Sequence, residues 1–173
     1  GLKAILEHGV ASLGSQGRFP QLSGVSFSYD PDLVAGSRIS DIALVDDGYR
    51  VNLYNDGVLL AGAPAKITMV TLNFLANDGD GYPIKANGEN FRYVVEQTGG
   101  GFALTAPVDE AKNFTAADTI AAAVGTSTLL GEQRAFEVYM KAFHATPQTA
   151  YKLAETTEAQ DSRIQNMNVR AED

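Results

Sequence analysis

Few side chains in this sequence could carry acid–base, nucleophilic or metal chemistry. It has two histidines, His8 and His144, and no cysteine. Disulfides and thiolate metal sites are therefore excluded, and a His-rich metal centre has too few imidazoles. A Ser/His/Asp triad cannot be built on two isolated histidines, and no GxSxG elbow is present. Asp46-Asp47 is a carboxylate pair in a turn, where solvation is the simplest expectation. Gly79-x-Gly81 and Gly99-Gly100-Gly101 do not match a phosphate loop, because GxxxxGK[ST] is missing and neither run joins a clear strand to a capped helix.

The acidic run Asn77-Asp78-Gly79-Asp80-Gly81 invites a calcium reading. With Gly81 at the sixth position of an EF-hand loop, Asp80 and Asp78 fit the fifth and third. Ala76 and Asn87 would then fall at the first and twelfth, where charged ligands are needed. With Gly79 sixth, Ala76 falls at the third. An EF-hand is rejected; a looser ion site at Asp78 and Asp80 stays open.

Two aromatics in loops are the sharper signal. The stretch Met69–Pro83, MVTLNFLANDGDGYP, reads as a strand ending in a tight Asx/Gly turn that presents Tyr82. Gly14–Gly24, GSQGRFPQLSG, is a loop holding Arg18, Phe19 and Gln21. Pro20 favours an extended Phe19. Two rings several ångströms apart can hold a flat heteroaromatic, each face contributing roughly 1–3 kcal/mol by analogy with base stacking. A core plug under the loop is the competing reading for Phe19, and spacing alone does not place the two rings face to face.

Several elements must position these loops. Residues 2–13 put Leu2, Ile5, Leu6, Val10 and Leu13 near one helical face, with Gly14 as the stop. His8 sits beside that face as a surface or edge residue with no acidic partner in view. Val25–Tyr29 alternates as a strand, and Asp30-Pro31 opens a turn to Gly36. Arg38–Val45 reads as a strand with Ile39, Asp41, Ala43 and Val45 on one side and Ile42 and Leu44 on the other. Asp46-Asp47-Gly48 then turns into a return strand, Tyr49–Tyr54, and Asn55-Asp56-Gly57 turns again. Lys66–Phe74 is the longest β-rich run. Arg92–Glu96 reads as a short strand and Gln97–Gly101 as flexible. Thr115-x-x-Asp118 resembles a capping box before Thr119–Val124. Glu132–His144 reads as an amphipathic helix ended by Pro147, with Tyr139 and Phe143 expected in the core. RIQNMNV (163–169) is strand-like.

Bulk properties bound the function. The 173 residues, 45% hydrophobic and 20% charged, suit one soluble domain with a real core. A net charge of −8 argues against nucleic acid and against an anionic membrane surface, since both need a basic face. No apolar run approaches the roughly 20 residues that span a bilayer. The chain opens on a helical pattern without a leader-like segment, so the expectation is an excised domain.

GRFPQLSG (17–24), FSYDP (27–31), GSRI (36–39) and NFLANDGDGYP (73–83) occur in the order and spacing of the C-terminal domain of the 5′-nucleotidase family. That family includes bacterial UDP-sugar hydrolases and animal ecto-5′-nucleotidases. The resemblance is firm over residues 2–95 and less distinctive later. It implies an α+β fold, a mixed β-sheet built around Val25–Phe74 with packed helices, in which residues 1–173 form a single substrate-binding domain. It also implies a parent enzyme of the periplasm or cell exterior. There, an N-terminal metallophosphatase domain, absent here with the first strands of this one, carries two divalent metal ions and the catalytic His/Asp dyad. The expected ligand is a nucleotide or nucleoside-diphosphate sugar.

Carried over residue by residue, Phe19 matches the first stacking aromatic and Tyr82 the second. Gln21 matches a polar position near the base, and Asp80 is expected to fix its loop by accepting backbone N–H bonds. No catalytic residue is expected in this chain. Asp78 stands where the family's loop usually has its first glycine; if positive φ is needed there, Asp tolerates it better than most residues. Two other readings compete: a non-catalytic interaction module that kept the fold, and a relative acting on cyclic-nucleotide or sulfur-compound substrates.

Overall fold

A computed structural model describes residues 1–46, 48–150 and 160–169. These fall into two compact units. The first takes in residues 1–70, 80–83 and the C-terminal strand, and the second residues 71–79 and, among those described, 84–150.

The first unit contains helix α1 (Leu2–Gly9) and strands β1 (Val25–Tyr29), β2 (Ile39–Asp46), β3 (Tyr49–Asn55), β4 (Val58–Leu59) and β8 (Ile164–Asn166). Strand order is β4-β3-β2-β1-β8. The meander is antiparallel, and β8 lies parallel to β1, pairing Phe27 with Ile164. The sheet is therefore mixed, as the family resemblance implies, and the strand-like RIQNMNV stretch supplies β8. It ends at Leu59 rather than reaching Phe74. Asp56 and Gly57 both take positive φ, 48° and 75°, which makes the β3–β4 turn the kind that matches strand twist. At the β2–β3 turn Asp46 pairs with Tyr49, while Asp47 lies outside the described residues.

The core joins Leu6 and Val10 of the helical segment to Phe27, Tyr29, Ile39, Ile42 and Leu53 of the sheet. Simple alternation puts Ile39 and Ile42 on opposite faces, yet both are buried in this cluster. The cause is a bulge: Ser28 pairs with Asp41 and Tyr29 with Ile39, so Ser40 is an extra residue. One extra residue flips the faces of everything beyond it.

Helix α1 stops at Gly9, short of the expected Leu13, which is exposed. Arg38 takes up the two carbonyls just beyond α1. The guanidinium donates to the Val10 and Ala11 carbonyls at 2.6 and 2.9 Å. In return the buried Glu7 carboxylate accepts the backbone N–H groups of Arg38 and Ile39, at 3.0 and 2.9 Å. The GSRI motif thus fastens helix to sheet.

The second unit holds helices α2 (Asn73–Ala76), α3 (Ile84–Asn87), α4 (Ala117–Val124) and α5 (Glu132–Phe143). Its sheet, of order β6-β5-β7, is built from β5 (Val94–Glu96), β6 (Phe102–Leu104) and β7 (Thr128–Leu129). Gln97–Gly101 closes the β5–β6 hairpin. Phe114 is its pivot. The ring lies 4.8 Å from Phe91, its carbonyl accepts the Tyr93 hydroxyl at 2.6 Å and Asn73 Nδ2 at 3.2 Å, and its N–H donates to Asn77 Oδ1 at 3.1 Å. Lys85 Nζ covers the ring at 4.6 Å and donates to Asn77 Oδ1 and the Lys112 carbonyl.

Three expectations fail here. Residues 66–72 form no strand; Val70 is 83% exposed, and β-propensity measures fit to a pleated, half-buried surface that this run lacks. Asn73–Ala76 instead coils into a helical turn. Thr115 does not cap α4, because its N–H and hydroxyl both go to Asn113 Oδ1 and Ala116 takes the cap position. Finally, α5 forms as its periodicity predicts, but Tyr139 and Phe143 are exposed and none of its residues is buried.

Candidate functional site

The two aromatics singled out by the sequence both lie in the first unit, each in its own ring cluster. Phe19 is half-buried, packed against the core and set edge-on to Tyr29 at 6.1 Å. It also lines an open cleft of about 500 Å³ with Leu13, Ser15, Tyr29, Pro31 and Asn166. The ring is thus part core plug and part cleft lining. Tyr82 is buried at 6% exposure, its ring edge-on to His8 at 4.8 Å.

A single hydrogen bond ties the two loops together. The Tyr82 hydroxyl donates to the carbonyl of Arg18, next to Phe19, at 2.5 Å. Burial pushes that hydroxyl above the ordinary tyrosine range, with Arg18 opposing the shift and Asp80 adding to it. Tyr82 therefore keeps its proton, and its role as donor, at neutral pH.

Asp80 is exposed, with φ of 53°. It fixes the loop differently from expectation: its backbone carbonyl lies 2.8 Å from His8 Nε2, while its carboxylate makes no hydrogen bond among those seen in the described residues. Gln21 is exposed and enters neither ring cluster. Asp78 takes φ of 64°, the left-handed conformation expected of a glycine stand-in. Among the described residues no group of three or more acidic or histidine side chains converges to hold a metal ion.

Reading the sequence missed His8, Tyr29 and the Glu7–Arg38 pair. FSYDP and GSRI marked Tyr29 and Arg38 as motif residues without showing their contacts. His8 carried no signal, since its partner is a backbone carbonyl 72 positions away.

Comparison with known proteins gives the class to which this fold belongs. Residues 1–87 of the 173 match the family described as 5′-nucleotidase, C-terminal domain. The chain belongs to that family. Its fold is shared with the crystal structure of a 5′-nucleotidase precursor from Thermus thermophilus, at 20% identity and a TM-score of 0.50 over 96% of this chain. The chain spans 23% of that protein's length. No curated protein matches the sequence.

Proposed function

We propose that this chain is the nucleotide-gripping domain of a 5′-nucleotidase-like phosphoester hydrolase. The Tyr82–Arg18 hydrogen bond carries the reading, because it joins the two motif loops whose aromatics the family uses on its ligand. Phe19 is the accessible ring, facing a cleft large enough for a base. Tyr82 fixes the segment that bears Phe19, and its ring is the second stacking aromatic that the resemblance implies. Gln21, exposed two residues beyond Phe19, would make the polar contact to the base edge. Asp80 shapes the loop through its backbone.

The ligand is a nucleotide or nucleoside-diphosphate sugar. Hydrolysis belongs to an N-terminal metallophosphatase domain of the parent, with two divalent ions that would supply a metal-activated hydroxide. The parent works in the periplasm or outside the cell. No helix of the described residues is long and apolar enough to cross a membrane.

Titrating the parent with AMP and UDP-glucose tests the reading. Phe19→Ala should raise KM about tenfold, the worth of one stacked face, and the 173-residue chain alone should turn over neither substrate. Unchanged turnover after Phe19→Ala with Tyr82→Ala would remove the stacking role. One observation favours a second reading, a module that kept the fold without the ligand: Tyr82 is nearly covered. AMP binding to the isolated chain, present or absent, separates the two.

A further inference from the structure

We propose that the dipeptide His8-Gly9, at the end of α1, is the seat on which both ligand loops rest, and that His8 is a positioning residue for them. Five contacts converge there. The Asp80 carbonyl can only accept, so His8 Nε2, 2.8 Å away, carries the proton and donates. The same imidazole meets the Tyr82 ring edge-on at 4.8 Å. Between these two residues stands Gly81, with φ of +75°; a Cβ there would lie 3.1 Å from His8 Cε1. The imidazole thus fits against a loop that has no side chain at that point.

Gly9 serves both loops at once. A Cβ on it would sit 2.8 Å from the Tyr82 hydroxyl and 2.8 Å from Pro20 Cδ, the residue after Phe19. Those are the two segments that the Tyr82–Arg18 bond joins. One helical turn therefore sets the height of both, by a donor at position 8 and by missing bulk at position 9. The seat follows from these contacts alone; its consequence for a nucleotide rests on the proposed function.

Hydrogen exchange on the 173-residue chain tests it, comparing wild type with His8→Ala, His8→Gln and Gly9→Ala. His8→Ala should speed exchange in peptides covering 16–22 and 78–84 about tenfold, the worth of one lost hydrogen bond, with β1–β3 protection unchanged. His8→Gln, whose amide can donate to the Asp80 carbonyl, should restore 78–84. Gly9→Ala should loosen both loops. AMP affinity should fall about tenfold in His8→Ala and recover in His8→Gln. Loops as protected in His8→Ala as in wild type overturn the seat, as does equal loss of sheet protection in His8→Ala and His8→Gln. If the loops respond as expected but wild type binds no AMP, the seat stands and the nucleotide reading falls. If AMP binds wild type and His8→Ala alike while the loops stay protected, the reverse holds.

Discussion

The two units spend their apolar residues differently. In the first, seven side chains from helix and sheet close one core, and Leu6, Val10, Ile39 and Ile42 are almost wholly shielded. In the second, burial gathers around Phe114, Tyr93, Val95 and Ile84, while α5 keeps Phe136, Tyr139 and Phe143 on the surface. Both helices are amphipathic by sequence. Amphipathicity states that a face wants cover; it does not supply the partner.

Truncating one apolar residue in each unit is the strongest way to break that contrast. Leu6→Ala, at 1% exposure, should cost about 2–5 kcal/mol, through lost transfer energy and the cavity left behind. Phe136→Ala, at 65% exposure, should change stability by no more than about 0.5 kcal/mol. Urea unfolding of the two variants, at unchanged m-value, measures both. A loss at Phe136 comparable to that at Leu6 would show that α5 is covered in solution.

The polar staples offer a second comparison. Glu7 is a buried carboxylate that takes two backbone N–H groups. Glu7→Ala leaves both without an acceptor and should cost about 2–3 kcal/mol. Asn77 does the parallel work in the second unit, accepting the Phe114 N–H and the Lys85 ammonium, but it is only half-buried. Asn77→Ala should cost about 1–2 kcal/mol, since water can reach part of what it leaves. Thermal unfolding ranks the pair, and a larger loss at Asn77 would reverse the comparison.

How far the sequence was legible follows the same divide. β1 to β3 were readable because alternation and Asx-Gly turns are local signals, while β8 showed only as a polar, strand-like stretch. The Ser40 bulge was not, since nothing in its composition distinguishes it from a regular strand residue. Residues 66–72 misled because Ile67, Met69 and Val70 have strand propensity with no ladder to join. The asparagines of NFLAN stood out as motif residues, yet their work is to hold Phe114, some 40 positions on. At the candidate site, motif order picked out Phe19 and Tyr82. The seat beneath them stayed hidden, because a histidine bonded to a distant carbonyl and a glycine needed for clearance look like any helix end.

The smallest expected effect lies in the Asx/Gly turn, which the boundary between the units divides after Gly79. Asp78, in the second unit, and Gly81, in the first, both hold positive φ, 64° and 75°. Asp78 is exposed. Asp78→Gly removes a modest left-handed penalty but frees the unfolded chain, and the two effects oppose each other. The net change should stay within about 0.5 kcal/mol. Gly81→Ala meets both obstacles at once, a conformation that alanine disfavours by about 1–2 kcal/mol and the His8 ring 3.1 Å from the new methyl. It should destabilise clearly and release the 78–84 loop in hydrogen exchange. Equal, negligible effects at the two positions would mean that the loop adjusts freely over His8, and a turn that adjusts so freely could not hold Tyr82 in place.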